Sequence, residues 1–147
     1  MLFRSDVLKV SKQLYFSSLT QGSKISDFEH RIANYVGAKY AVVVASATAG
    51  LHLSLLSLNL PVKSEVITSP ISFVASSNAI FYNQLVPKFI DVENEYLSIS
   101  NNLVLNEIES NPNISAIVPV HFAGYAQDLG RMREKTAGKN KIGRAHV

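Results

Sequence analysis

Tyr40-Ala41-Val42-Val43-Val44, then Ala45-Ser46-Ala47-Thr48-Ala49-Gly50, then Leu51 to Leu58 is the stretch whose reading decides the fold. The first run is apolar and β-branched, the pattern of a buried strand. The last run is rich in leucine and long enough for a helix. The junction between them holds only small and hydroxylated residues. Such a junction lets a ligand approach the backbone, and the helix behind it points its unpaired N-terminal amides at that ligand. This arrangement suits an anion, most often phosphate. The same string also reads as a plain helix cap by Ser46 or Thr48, worth about 1 kcal/mol. The residues alone leave both readings open.

Working outward, Glu65-Val66-Ile67-Thr68-Ser69-Pro70 is a second short strand that ends in a turn, with Ile71 to Ile80 behind it. Further strands are expected near Ala116–Val120 and Lys88–Asp91, besides Ala41–Val44 and Glu65–Thr68. Helices are expected at Asp6–Gln13, Ala49–Leu58, Phe73–Asn83, Leu103–Glu109 and Gln127–Thr136. Ser26-Asp27-Phe28-Glu29 has capping-box spacing; Phe28, Ile32, Tyr35 and Val36 share one helical face, and Gly37 suits the helix end. Glu93-Asn94-Glu95 reads as a turn and Ser110-Asn111-Pro112-Asn113 as a loop. Alternating helix and strand with short links predicts an α/β layered fold with a mostly parallel sheet and flanking helices. Right-handed crossovers then bring the loops Ala45–Ala49, Ser69–Phe73 and His121–Gly124 to the carboxyl edge, where ligands bind in such sheets.

The chain has 147 residues, 47% hydrophobic and 17% charged, the composition of one ordinary globular core. It has no cysteine, which excludes disulfides and thiolate metal sites. The histidines lack metal-ligand spacing. His30 is expected on a solvated helix face, and His52 within the leucine-rich helix is expected to pack. No apolar run reaches the length of a membrane span, and no charged-then-apolar signal sequence opens the chain. The expectation is a cytoplasmic protein with no membrane partner.

Both ends read as foreign. Ile142-Gly143-Arg144-Ala145-His146-Val147 translates ATC GGA AGA GCA CAC GTC, a common sequencing-adapter string, and Met1-Leu2-Phe3-Arg4-Ser5 translates its complementary strand from a GTG start. Residues 1–5 and 142–147 are accordingly set aside as adapter-derived, with Lys141 at the junction, leaving residues 6–140 as the natural segment of a longer gene. The formal charge of +3 rests on 14 Lys and Arg against 11 Asp and Glu. Without Arg4, Lys141 and Arg144 the two balance, so the pI of 9.2 is no argument for nucleic acid. No arginine-rich stripe interleaved with aromatics argues for it either.

Three further strings accompany the two units above in order: Thr20-Gln21-Gly22, Tyr35-Val36-Gly37-Ala38-Lys39-Tyr40-Ala41 and Val118-Pro119-Val120-His121-Phe122-Ala123-Gly124. Together they resemble the DegT/DnrJ/StrS family of pyridoxal 5'-phosphate (PLP) dependent nucleotide-sugar aminotransferases, over roughly Leu8 to Asp128. Within the second unit, Pro70-Ile71-Ser72-Phe73-Val74-Ala75 looks closest to the pseudaminic-acid branch, which aminates a UDP-linked 4-keto-hexose. The resemblance implies that residues 6–140 are the N-terminal part of the large domain of a fold-type-I PLP enzyme. It also implies a homodimer, with glutamate and a UDP-keto-sugar as substrates.

The resemblance gives the site residues their roles. Ala47, Thr48 and Ala49 would cradle the PLP phosphate. Phe73 would stack on the pyridine ring, where otherwise it would read as one more core phenylalanine. Thr20 and Gln21 would lie near substrate at the dimer interface, although Gly22 beside them also suits a simple turn. His121 and Asn78 could hydrogen-bond substrate or cofactor, or serve as structural polar groups. The family's Schiff-base lysine and the acid that partners the pyridine nitrogen lie in motifs downstream of Met132 that this chain does not contain. Lys9, Lys12, Lys24, Lys39, Lys63, Lys88, Lys135 and Lys139 do not occupy the lysine motif and read as solvated surface charges. The 147-residue chain is thus expected to be inactive by itself. Two alternatives stand beside the transaminase: a sugar dehydratase of the same family, in which histidine replaces the lysine, and a non-catalytic α/β nucleotide-binding module. The second lacks a Gly-x-Gly-x-x-Gly or Gly-Lys-[Ser/Thr] signature.

Overall fold

The computed structural model describes residues 22–136, in two compact units that divide after Val44. The expected helix Asp6–Gln13 lies outside the described residues. The first unit contains α1 (Ser23–Val36). It begins four residues earlier than the capping-box spacing predicts. Gly22 is the N-cap, and Ser26 sits inside the helix, where its carbonyl bonds His30 Nδ1 at 2.7 Å. The end matches the expectation. Gly37 takes φ +68°, and the Ala38 amide reaches back to the Ala33 carbonyl at 2.9 Å, closing a Schellman turn.

The expected strand Ala41–Val44 is absent. Val42 is 78% exposed, and the Val43 amide donates to the Glu29 carboxylate at 2.8 Å instead of to a neighbouring strand. β-branched residues favour extended backbone, but a strand needs a partner ladder. Among the described residues this segment has none.

The second unit is the α/β layer. Its elements are α2 (Ala47–Ser57), β1 (Glu65–Thr68), α3 (Ala75–Tyr82), β2 (Val86–Phe89), α4 (Asn101–Ser110), β3 (Ile114–Val118), a 3-10 turn (Phe122–Gly124) and α5 (Gly130–Thr136). Among the described residues the sheet has three strands, not the four expected, in the order β2-β1-β3, and both pairings are parallel. The pleat divides the core. Val66, Ala116 and Val118 face Leu51 and Leu55 of α2 and Ala75, Ala79 and Ile80 of α3. Ile67 and Ile117 face Val104 and Ile108 of α4 and Leu129 and Met132 near α5. Fully burying one such aliphatic side chain contributes about 1.5–3 kcal/mol. Glu65 pairs with Ile114 and Val66 with Ala116, so Ser115 is bulged out. The bulge puts Ile114 on the same face as Ile117 although an even step separates it from Ala116.

This order reverses the chain's direction across the sheet. β1 steps to β2 through α3 on one face; β2 crosses back past β1 to β3 through α4 on the other. Changing face is what keeps both crossovers right-handed.

Candidate functional site

A crevice opens where neighbouring parallel strands send their connections to opposite faces, and ligands bind there at the carboxyl ends. Here that place is the junction of β1 and β3. The segment after β1 leads to α3 on one face, and the segment after β3 leads to α5 on the other. The floor is buried and tied: the Thr68 hydroxyl donates to the Val118 carbonyl at 3.0 Å. Ser69 follows, with its hydroxyl accepting from the Ile71 amide at 3.1 Å to form a tight turn.

The α2 N-terminus points to the same edge. The Lys63 amide, just before β1, bonds the Gln84 carbonyl just after α3 at 2.9 Å. α2 and α3 thus both return to the amino edge of the sheet. They pack side by side, with His52 edge-on to Tyr82 at 5.7 Å between ring centroids and the Asn83 amide on the His52 carbonyl at 3.2 Å. His52 packs, as expected. With their C-termini at the amino edge, both helices start at the carboxyl edge.

At the start of α2, Ser46 is the cap. Its Oγ accepts the Ala49 amide at 3.1 Å, and its carbonyl accepts the Gly50 amide at 3.0 Å. The capping reading of this string is therefore correct, and it takes up the Ala49 donor. The amides of Ala47 and Thr48 and the Thr48 hydroxyl make no hydrogen bond among the described residues. They are the donors left for an anion, aided by the helix dipole.

Phe73 is 74% exposed. It is not a core phenylalanine. The chain between β1 and α3 holds it at the surface: its carbonyl accepts from the Ser76 amide at 3.1 Å, and the Ser72 and Ser76 hydroxyls are 2.7 Å apart. Asn78 is half-buried on α3. Thr20 and Gln21 lie outside the described residues.

His121 stands just beyond β3. Its Nδ1 accepts the Gln127 backbone amide at 3.1 Å, and its carbonyl accepts the Gly124 amide at 3.1 Å, closing the 3-10 turn. The Gln127 side-chain amide donates to the Ile99 carbonyl and, at 2.7 Å, to Asn101 Oδ1. Asn101 Nδ2 donates to the Asp128 carbonyl at 3.0 Å. The Tyr96 and Tyr125 rings stack parallel, 4.2 Å apart between centroids. Glu95, through a hydrogen bond and its charge, holds the Tyr96 hydroxyl above its usual pKa. Sequence reasoning missed Gln127 and Asn101. Their side-chain partners lie 26 or more residues away, and no periodicity connects them.

Away from the edge, Lys88 is not a simple solvated charge. Its Nζ lies 2.9 Å from Glu107 Oε1, joining β2 to α4. Hydrogen bonds from Asn111 and Lys88 hold Glu107 below its usual pKa, and Glu107 raises that of Lys88. Among the described residues no helix is long and apolar enough to cross a membrane.

Fold and site together define an α/β layer of the PLP-transferase kind, with a helix N-terminus and an exposed aromatic at the carboxyl edge of a parallel sheet. The chain belongs to the DegT/DnrJ/EryC1/StrS aminotransferase family, which matches residues 4–141. It is 42% identical over 111 residues to the uncharacterized protein MJ1066 of Methanocaldococcus jannaschii, covering 76% of this chain and 28% of that protein. It is 33% identical over 137 residues to UDP-4-amino-4,6-dideoxy-N-acetyl-beta-L-altrosamine transaminase of Campylobacter jejuni, covering 93% of this chain and 36% of that enzyme. The crystal structure of NtdA from Bacillus subtilis with bound cofactor PMP superposes with a TM-score of 0.86 at 25% identity, covering 95% of this chain and 32% of that one. The chain spans about a third of the length of the curated relatives it matches.

Proposed function

We propose that residues 6–140 are the N-terminal part of the large domain of a PLP-dependent, cytoplasmic, homodimeric aminotransferase that moves an amino group from glutamate to a nucleotide-linked 4-keto-sugar. UDP is the proposed carrier. The observation that carries this reading is the family match along nearly the whole chain, joined to an α2 N-terminus that keeps open donors at the carboxyl edge. The Campylobacter relative supports the sugar class, and the PMP-bound NtdA supports the cofactor.

The residues present fit PLP. The Ala47 and Thr48 amides and the Thr48 hydroxyl supply donors for a phosphate, and the capped turn of Ser46 and Ala49 holds them in place. Phe73 offers an aromatic face that the core does not use. When bound, PLP supplies the electron sink that lets an amino group pass between donor and acceptor. The work of this chain is to bind and orient: the Ala47 and Thr48 donors take the phosphate, Phe73 covers one face of the ring, and Asn78 and His121 serve the substrate side. The proton-moving lysine and the acid belong to motifs outside these 147 residues, so the chain alone is proposed to be inactive.

The test uses the full-length protein with PLP, glutamate and a UDP-4-keto-hexose, following 2-oxoglutarate and amino-sugar formation. Amino-sugar appears if the reading is right. Loss of a sugar hydroxyl without net amination would instead show the family's dehydratase chemistry. No PLP binding and no turnover would overturn the proposal.

A further inference from the structure

We propose that Gln127 is a positioning residue that sets the tautomer and the place of His121 at the carboxyl edge. This rests on the proposed substrate-side role of His121. A backbone N–H can donate only to an unprotonated ring nitrogen. The 3.1 Å bond from the Gln127 amide to Nδ1 therefore puts the imidazole proton on Nε2. A backbone donor six residues along a loop holds that tautomer only if the loop itself is held.

The Gln127 side chain does the holding. Its amide spans two acceptors at the start of α4, the Ile99 carbonyl and Asn101 Oδ1, and Asn101 in turn grips the Asp128 carbonyl. A second contact ties the same segment to the turn after β2: Tyr125 stacks on Tyr96. Within the segment, Ala123 takes φ +51°, a left-handed conformation that a non-glycine residue holds only when its surroundings impose it. Residues 121–128 are thus pinned to residues 96–101 at two independent points, and His121 is held at the start of that segment. Gln127 need not touch substrate to matter; it acts through His121.

The experiment uses the full-length protein labelled with 15N in its histidine rings, with His121→Gln identifying the His121 signals. Wild-type His121 is expected to show an unprotonated Nδ1 and a protonated Nε2. Gln127→Ala should move it toward a mixture of the two tautomers, and Asn101→Ala should do so to a lesser degree. In turnover, Gln127→Ala should raise the keto-sugar KM roughly fivefold, the size of one net hydrogen bond, with a smaller effect on kcat. In a His121→Gln background the same substitution should add nothing further. Circular dichroism checks that each variant is folded, and Tyr125→Phe, which keeps the stack, is expected to leave the tautomer unchanged. An unaltered tautomer in a folded Gln127→Ala variant, or a KM effect additive with His121→Gln, overturns the inference. A shifted tautomer with unaltered kinetics overturns the substrate-side role of His121 while PLP binding still stands.

Discussion

The Thr68 hydroxyl donates to the Val118 carbonyl at 3.0 Å, side chain to backbone, between the last paired residues of β1 and β3. Thr68 is wholly buried. The bond sits where the chain's crossing order opens the crevice, and it fixes together the two strand ends from which Ser69 and His121 emerge. A hydroxyl in an otherwise aliphatic layer thus sets the floor of the candidate site.

Thr68→Val keeps the shape and removes the donor. It should lower unfolding free energy by about 1–2 kcal/mol in urea titration. Thr68→Ser, which keeps the hydroxyl, should recover part of that loss. Equal stability for Val and wild type would show that the bond contributes nothing.

Gly37 ends α1 in the left-handed region, and nothing lies within 4 Å of the position a Cβ would take. The cost of a side chain here is backbone strain alone. Gly37→Ala should destabilise α1 by about 1–2 kcal/mol, seen as faster amide hydrogen exchange at Ala38, whose bond to Ala33 closes the turn.

Glu107 gives stability an acid-side pH dependence. Its pKa is lowered by Asn111 and Lys88, so its contribution is complete above the usual 4.5 and is lost as pH falls through the lowered value. Lys88 is raised above 10.5, so its contribution is present below that value and fades as pH rises past the raised one. Glu107→Gln should make the thermal midpoint less sensitive to acidification below 4.5 than wild type. Parallel acid profiles for the two proteins would contradict the linkage.

The alternation of helix and strand, the parallel sheet and the Gly37 stop were legible in the sequence because period and turn chemistry are local. β1 matches its expected bounds, Glu65–Thr68. The other elements shifted by a few residues at their ends. The strand expected at Ala41–Val44 failed for a non-local reason: valine composition favours extended backbone but cannot supply a neighbour to pair with. The capping box at Ser26 failed because the helical backbone already begins at Ser23, with Gly22 as its N-cap and the Ile25 amide on the Gly22 carbonyl at 3.0 Å. At the site, the hydroxylated junction identified the α2 start, but which amides remain open depended on Ser46 capturing Ala49. Phe73 could not be told from a core phenylalanine by composition; its exposure comes from the turn before α3. The Gln127 clamp was invisible because it joins residues distant in the chain.

The most direct test of the account is the PLP affinity of the full-length protein, followed by cofactor absorbance during titration, in wild type, Thr48→Ala and Phe73→Ala. Thr48→Ala removes a hydroxyl donor from the open end of α2, and Phe73→Ala removes the exposed aromatic face; circular dichroism confirms that each variant is folded. The account predicts that each weakens PLP binding, by roughly five- to thirtyfold, with little change in unfolding free energy for the exposed Phe73. Wild-type affinity in both folded variants would contradict the placement of the cofactor at this edge.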